Sequence, residues 1–320
     1  MSTANFHASA VAFGPTRGVL ILGSSGSGKS RLALALAQAL GGVIINADSM
    51  QVYDGLRVLT ARPTDDEMAL APHRLYGHVD SAIAYSTGAW LRDVAALDLA
   101  GEFAGRRPIF VGGTGLYFRA LTEGLSQMPE IPEQIRTKWR YRLGEAGPSG
   151  LHRELMLRDP RVAMKLRAGD GQRIVRALEV LEASGRSILD WQSNASPSVV
   201  GASATHRFVF DPDRSWLNER ISRRFDAMAA GGAIDEVRAL TLRNLDPDLP
   251  SMRAIGVPQF SAGLRGELPL EEAVNRAIVA TRQYAKRQNT WFRNQLDASW
   301  TRLDPQVGDL TERVMALVRI

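Results

Sequence analysis

The sequence predicts an α/β fold: a parallel sheet flanked by helices, P-loop NTPase-like, with an all-helical insertion domain. Three observations predict it. Short apolar runs alternate with helical stretches up to about residue 125, a glycine-rich loop sits at the first strand-to-helix turn, and residues 126–204 lose the strand pattern. Strands that alternate with helices return by right-handed crossovers, and this makes the sheet parallel.

Gly18 to Leu22 reads as a buried strand entering the glycine loop, and Lys29 to Leu40 as an Ala/Leu-rich helix closed by Gly41-Gly42. Val43 to Asn46 is a second strand, Tyr76 to Asp80 a third, and Thr87 to Phe103 a helix. Arg107 to Val111 is a fourth strand, ending in Gly112-Gly113 ahead of a helix near Gly115 to Glu123. Two prolines between Ser126 and Pro132 break the pattern. Helical periodicity then runs from Glu133 to about Ser184, punctuated at Gly144 to Ser149 and Gly169 to Gly171. After a polar loop from Asp190 to Ala204, His206 to Phe210 reads as a strand rejoining the sheet. Helices follow, then a last strand at Ser299 to Leu303 and a closing helix from Val307. The domain reading is a flexible tail over 1–17, a core of 18–125 and 205–320, and a helical insertion over 126–204.

Composition bounds the chemistry. With 320 residues and 45% apolar content, the chain is long enough for one large core and a smaller unit. It has no cysteine, which removes disulfides, thiolate zinc sites and cysteine nucleophiles, and its five histidines are scattered. A metal would be a hard ion held by oxygen, and Mg²⁺ is the expected one. No run of about 18 apolar residues occurs, and Met1 to Arg17 lacks the layout of a signal peptide, so the expectation is a cytoplasmic protein with no membrane partner. The net charge is +5, and arginines crowd the C-terminal third. That is the footprint of a polyanionic partner or of a solvated helix face, and charge alone does not choose.

Gly23-Ser24-Ser25-Gly26-Ser27-Gly28-Lys29-Ser30 satisfies the phosphate-loop pattern G-x-x-x-x-G-K-[ST] at every position, between a strand and a helix. The glycines let successive N–H groups turn inward, and the helix N-terminus adds positive partial charge. Lys29 neutralises phosphate oxygens, and the Ser30 hydroxyl can hold Mg²⁺. A kinase would also need an acid ending a later strand to position the metal. Arg107 to Val111 ends instead in Gly112-Gly113-Thr114-Gly115. An acid does follow the second strand, in Asn46-Ala47-Asp48-Ser49-Met50-Gln51-Val52-Tyr53, which places Asp48 at the carboxyl edge of the sheet beside the loop. Asp48 reads as a general base or a helix N-cap, and Thr114 as a hydroxyl facing a pyrophosphate oxygen or an N-cap. On these residues alone, an ATP-dependent kinase and a P-loop RNA-binding protein without chemistry both stay open.

Further segments follow in order: Thr60-Ala61-Arg62-Pro63, His73-Arg74-Leu75, Gly112 to Tyr117, Gln172 to Glu179, Arg253-Ala254-Ile255-Gly256, and Thr281 to Gln288 with Trp291. Jointly, over residues 19–294, they resemble the tRNA dimethylallyltransferases of the IPP transferase family, which transfer a prenyl group to N6 of adenosine 37 next to the anticodon. Two positions depart from the family pattern: Ser24-Ser25 stand where Pro-Thr is common, and Val257-Pro258 where Tyr-(Arg/Lys) is usual. The resemblance implies that Asp48 and Thr114 are catalytic and that Gly23 to Ser30 with Arg224 grip a diphosphate. It also implies Mg²⁺ at Ser30, and dimethylallyl diphosphate and the tRNA anticodon stem-loop as substrates. The protein would be a monomer with no obligate protein partner.

Helical geometry adds detail to these roles. On the helix from about Ser215, Leu217, Ile221, Phe225 and Met228 fall within about 80° of one another, with Arg224 at the edge of that stripe and Arg220 and Arg223 further round. On the helix from Leu270, Arg282, Lys286 and Arg293 fall within about 40°, while Arg276 and Arg287 form a stripe about 120° away. With Tyr284 and Trp291 interleaved, the composition suits RNA backbone contact plus stacking. The resemblance then implies tRNA contacts at Asp48, Ser49, Met50 and Gln51. It implies others in the helical insertion, at Arg136, Gln172, Arg173, Ile174, Val175 and Arg176, and toward the C-terminus at Arg253, Lys286, Arg287, Gln288, Trp291 and Arg293.

Overall fold

The computed structural model describes residues 18–193, 198–200 and 205–319. The tail expected over 1–17 and part of the polar loop expected over 190–204 lie outside the described residues. The chain divides into two compact units, Met1–Thr122 with Val199–Ile320, and Glu123–Ser198.

In the first unit β1 (Gly18–Leu22) is buried at all five positions, as a central parallel strand must be. Helix α1 (Lys29–Leu40) buries Leu32, Ala33, Leu36 and Ala37, one stripe at helical spacing, and stops at Gly41, whose φ of 60° is left-handed. After β2 (Gly42–Asn46) comes α2 (Asp65–Leu70), opened by a reciprocal cap between Thr64 and Glu67. The third strand, β3, is only His73–Arg74. The strand expected at Tyr76 to Asp80 does not form, because Leu75 and Gly77 take φ of 63° and 54° and turn the chain out of the extended region. Ser86 caps α3 (Thr87–Leu99), and β4 (Arg107–Gly112) leads into α4 (Gly115–Glu123).

The second unit is all-helical among its described residues: α5 (Glu133–Arg158), α6 (Pro160–Ala163), α7 (Gly171–Ser184) and α8 (Ile188–Gln192). The punctuation expected at Gly144 to Ser149 is a kink inside α5, where Gly147 leaves helical geometry (φ 64°, ψ 172°) ahead of Pro148. Residues Asp190 to Gln192, expected as loop, close α8 instead, which Ser187 caps. Trp139, Leu151, Leu155, Ile174 and Leu178 form the core of this unit.

The chain then returns to the first unit. β5 (Thr205–Phe210) is followed by α9 (Arg214–Met228), capped by Asp213, then α10 (Ile234–Leu242), α11 (Val257–Leu264) and α12 (Leu270–Gln295). The last elements are β6 (Thr301–Leu303) and α13 (Leu310–Val318). All six strands lie parallel in the order β3-β2-β4-β1-β5-β6. Strand alternation sends Leu20, Leu22, Ile45 and Phe110 to one face, against Trp90, Phe118 and Phe292. Val19, Ile21, Ile44 and Ile109 go to the other, against α1 and α13. A third cluster joins Leu56 and Leu59 to residues of α9, α10, α11 and α12. Among the described residues no helix is long and apolar enough to cross a membrane.

Candidate active site

Strand order decides what meets at the carboxyl edge. β2, β4 and β1 are consecutive neighbours in the sheet, so the segments after them emerge side by side: Asp48, Gly113-Thr114 and the phosphate loop. Backbone hydrogen bonds carry the ladder past the strand ends, with Gly23 N–H donating to Gly112 O (3.1 Å), Ala47 N–H to Val111 O (2.8 Å) and Thr114 N–H to Ala47 O (3.3 Å).

Gly26 and Gly28 adopt φ of 85° and 98°, the left-handed geometry that lets the loop curl ahead of α1. The first N–H groups of α1 have no intrahelical acceptors and open onto that curl. Ser24 and Ser27 are fully buried, and their hydroxyls have no hydrogen-bond partner. Lys29 Nζ lies 3.5 Å from Ser24 O. Burial pulls the Lys29 ammonium down to about 8, which Asp48 opposes and Arg224 reinforces. A diphosphate beside Lys29 would favour the protonated form. Affinity for a diphosphate ligand is therefore expected to weaken as pH rises through 8, by about tenfold between pH 7 and pH 9. Lys29→Arg, which stays charged, should flatten that slope in a direct binding titration.

Asp48 sits in a tight local frame. Its Oδ1 accepts from Met50 N–H (3.0 Å), its own N–H donates to Asn46 Oδ1 (2.9 Å), and Asn46 Nδ2 donates to Asp48 O and Leu75 O (2.9 Å each). Asn46 O in turn accepts from Trp90 Nε1 (2.8 Å), and Trp90 stacks on Tyr117 at 4.3 Å. The Thr114 hydroxyl is used across the strand ends: it accepts from Ser49 N–H (2.9 Å) and donates to Ser49 Oγ (3.2 Å).

A cavity of about 340 Å³ is lined by the loop residue Ser25, the Asp48 segment, α9 and α12. Its polar lining includes Ser25, Asp48, Arg224, Tyr284, Arg287 and Gln288, and its apolar lining Met50, Leu59, Ile221, Phe225, Met228 and Ile255. Burial, with Asp48 adding to it, pushes the Tyr284 hydroxyl up to about 12. Arg224 is thus brought to the site, within electrostatic reach of Asp48. Arg223 points away and pairs with Glu219.

Several residues expected at the RNA do other work. Ile174 and Val175 are buried in the helical unit, because positions 174, 175 and 178 of α7 form its inward stripe. Their side chains pack inward and are not presented at the surface of the unit. Gln288 is also buried: its amide donates to Gly113 O (2.8 Å) and its carbonyl accepts from Ser25 N–H (3.4 Å), tying α12 to the phosphate loop. Gln51 donates to Thr60 O and Ala61 O (2.9 Å each). In the helical unit Gln172 and Arg173 are exposed, Arg176 lies 3.6 Å from Glu179, and Arg136 Nε donates to Ile131 O (3.3 Å). Arg253 pairs with Asp248 and also lines the cavity. On α12, Lys286, Arg287 and Trp291 share an open groove, Arg293 pairs with Asp211 (3.1 Å), and Arg282 donates to Ser222 Oγ (2.6 Å).

Sequence reasoning missed Arg220. Its Nε donates to Gly26 O (2.9 Å) and its guanidinium lies 4.7 Å over Trp216, so it braces the loop from outside. Its place one turn before Arg224 was the available signal. For Mg²⁺ the fit is by donor type. The described residues hold no cluster of three or more acidic, histidine or cysteine ligands, while the exposed Ser30 hydroxyl opens α1 beside Lys29. A hydroxyl completed by phosphate oxygens is the hard-donor set that Mg²⁺ takes, so the residues fit.

Fold and site define a P-loop α/β protein in which a phosphate cradle and a carboxylate open onto one partly apolar cavity. Comparison with known proteins narrows the class. The IPP transferase model matches residues 51–295 and an isopentenyl transferase model matches 17–83. A tRNA dimethylallyltransferase of Rhizobium johnstonii is 58% identical over 89% of this chain and 96% of its own length, and one of Mesorhizobium japonicum is 56% identical over 93% and 92%. Among solved structures, a tRNA isopentenylpyrophosphate transferase of Bacillus halodurans aligns with a TM-score of 0.65 at 32% identity, covering 95% of this chain and 94% of its own. A eukaryotic dimethylallyltransferase acting on tRNA aligns at 0.77 and 25% identity, covering 95% and 79%. The chain belongs to the IPP transferase family.

Proposed function

We propose that this protein transfers the dimethylallyl group of dimethylallyl diphosphate to N6 of adenosine 37 in tRNAs reading codons that begin with U, giving N6-isopentenyladenosine and pyrophosphate. One observation carries the reading. Asp48 and Arg224 line the same cavity as the loop residue Ser25, beside an apolar wall of Met50, Leu59, Ile221, Phe225, Met228 and Ile255. That apolar wall suits the hydrocarbon part of an allylic diphosphate.

The exocyclic amine of adenine is a poor nucleophile because its lone pair is delocalised into the ring. Asp48 accepts a hydrogen bond from the amine and takes its proton as the nitrogen bonds to the allylic carbon. The carbon–oxygen bond breaks in the same displacement, and its electron pair leaves on the diphosphate. Lys29, Arg224 and the loop N–H groups stabilise that developing charge. Mg²⁺, held by Ser30 and the diphosphate oxygens, would add further neutralisation. Thr114 holds the Ser49 N–H and so fixes the start of the Asp48 segment against β4.

Lys286, Arg287, Trp291 and Arg293 on α12 contact the tRNA in this reading, as do Arg136, Gln172, Arg173 and Arg176 in the helical unit. The adenosine leaves the loop's stack to reach Asp48. The protein acts as a monomer in the cytoplasm with no obligate protein partner. The test is incubation with Mg²⁺, labelled dimethylallyl diphosphate and unmodified tRNA bearing A36-A37. Label is expected in the RNA, with pyrophosphate released in equal amount. Absence of transfer by the unaltered protein would reject the assignment.

A further inference from the structure

We infer that Leu59 sets the length limit of the transferred allylic group and that Glu236 is the positioning residue that holds Leu59 in place. The inference rests on the proposed transfer reaction and deepens it.

Helix α9 acts as a ruler along the cavity. At its start, Leu217 and Ile221 lie against the apex of the phosphate loop, where a Cβ on Gly26 would stand 3.6 and 3.4 Å from them. Met228 lies two turns beyond Ile221, about 10 Å along the axis. Ile221, Phe225 and Met228 all line the cavity, and Phe225 and Met228 share a buried cluster with Leu59. An allylic chain anchored by its diphosphate in the loop and lying along α9 therefore runs toward Leu59 and Met228.

Leu59 has no room to retreat. It is 5% exposed and presses on bare backbone at Gly256, where a Cβ would stand 2.4 Å from its Cδ1. Gly256 adopts φ of 103°, so the backbone there is itself glycine-specific.

The segment carrying Leu59 is tied down as well. The Glu236 carboxylate accepts three consecutive backbone N–H groups, from Arg57 (3.0 Å), Val58 (2.7 Å) and Leu59 (2.9 Å). The Gln51 amide takes the next two carbonyls, of Thr60 and Ala61. Charge-assisted bonds of this kind are the strong ones, and three on one carboxylate leave the wall little freedom. On this inference one isoprene unit ends before the wall and a second meets Leu59.

The experiment compares kcat/KM for geranyl and dimethylallyl diphosphate on unmodified tRNA, using the full-length protein. The unaltered enzyme should prefer dimethylallyl by about 100-fold or more, and Leu59→Ala should raise the geranyl-to-dimethylallyl ratio at least about tenfold. Leu59→Val, a smaller cut that guards against misfolding, should move the ratio the same way by less. Glu236→Gln accepts through one oxygen only and turns an NH₂ toward a donor. It should raise KM for dimethylallyl diphosphate and loosen selectivity while kcat stays within a few-fold, whereas a merely structural defect would lower kcat with selectivity intact. If the Leu59 variants transfer dimethylallyl with an unchanged ratio, or the unaltered enzyme takes both chains equally, the inference fails and the transfer reaction stands. If the unaltered protein transfers neither chain, the reaction itself is wrong and the inference falls with it.

Discussion

Asp48→Asn is expected to lower kcat for dimethylallyl transfer by about 10²- to 10⁴-fold, the range for loss of a positioned general base. The substitution is chosen because it preserves the local frame. Oδ1 of asparagine can still accept from Met50 N–H, and the backbone N–H of residue 48 still reaches Asn46. What disappears, on the proposed reaction, is the capacity to take a proton from the adenine amine. KM for dimethylallyl diphosphate should stay level or fall, since removing the carboxylate removes a negative charge beside the incoming diphosphate. The split between kcat and KM is the diagnostic feature: steady-state kinetics showing kcat within threefold of the unaltered enzyme would remove Asp48 from the chemistry.

Gly112→Ala is the second large expectation, and it acts through the scaffold. A Cβ at Gly112 would lie 2.0 Å from Ala47 O and 2.1 Å from Ala47 C, both backbone atoms of the neighbouring chain. Neither chain can yield cheaply, because Asn46 is in register with Val111 and Ala47 N–H is bonded to Val111 O. Overpacking against side chains costs about 1–3 kcal/mol, and a clash with paired backbone belongs at or above the top of that range. Urea unfolding should show a loss of about 3 kcal/mol or more. Transfer activity should fall with it, because Asp48 and Thr114 hang from the two strands being forced apart. Gly144→Ala is the control. Nothing lies within 4 Å of its Cβ position, and α5 should tolerate or gain from the change. Equal losses at both positions would show that the close approach of β2 and β4 is not what Gly112 serves.

Much of the site was readable because its signals are local. The phosphate loop needs glycine at fixed offsets and a lysine at the helix start, so its pattern is a statement about consecutive residues. Asp48 and Thr114 were readable for a related reason: each follows a short apolar run that ends in a turn, and such runs end at the same edge of a parallel sheet. Angular arithmetic on one helix put Arg224 at the edge of a buried stripe, and the family resemblance supplied its diphosphate role.

Two kinds of detail were not legible. Tyr76 to Asp80 has strand composition, but the left-handed residues Leu75 and Gly77 break it, and backbone sign at a leucine leaves no mark in composition. Ile174, Val175 and Gln288 sit in segments that the family resemblance marks as a whole, and a segment does not say which of its side chains face inward. In α7 the packing against α5 claims Ile174 and Val175, and in α12 the approach to Gly113 claims Gln288.

Taken by itself, then, the sequence determined the fold class, the phosphate loop and the acid beside it, because these depend on periodicities and on neighbours along the chain. Only the tertiary structure decided that Arg220 braces the loop, that Gln288 links α12 to it, and that Glu236, 177 positions from Leu59, anchors the cavity wall. Those contacts join residues far apart in the chain, where partner and distance are set by how helices pack on the sheet, and no local pattern encodes that.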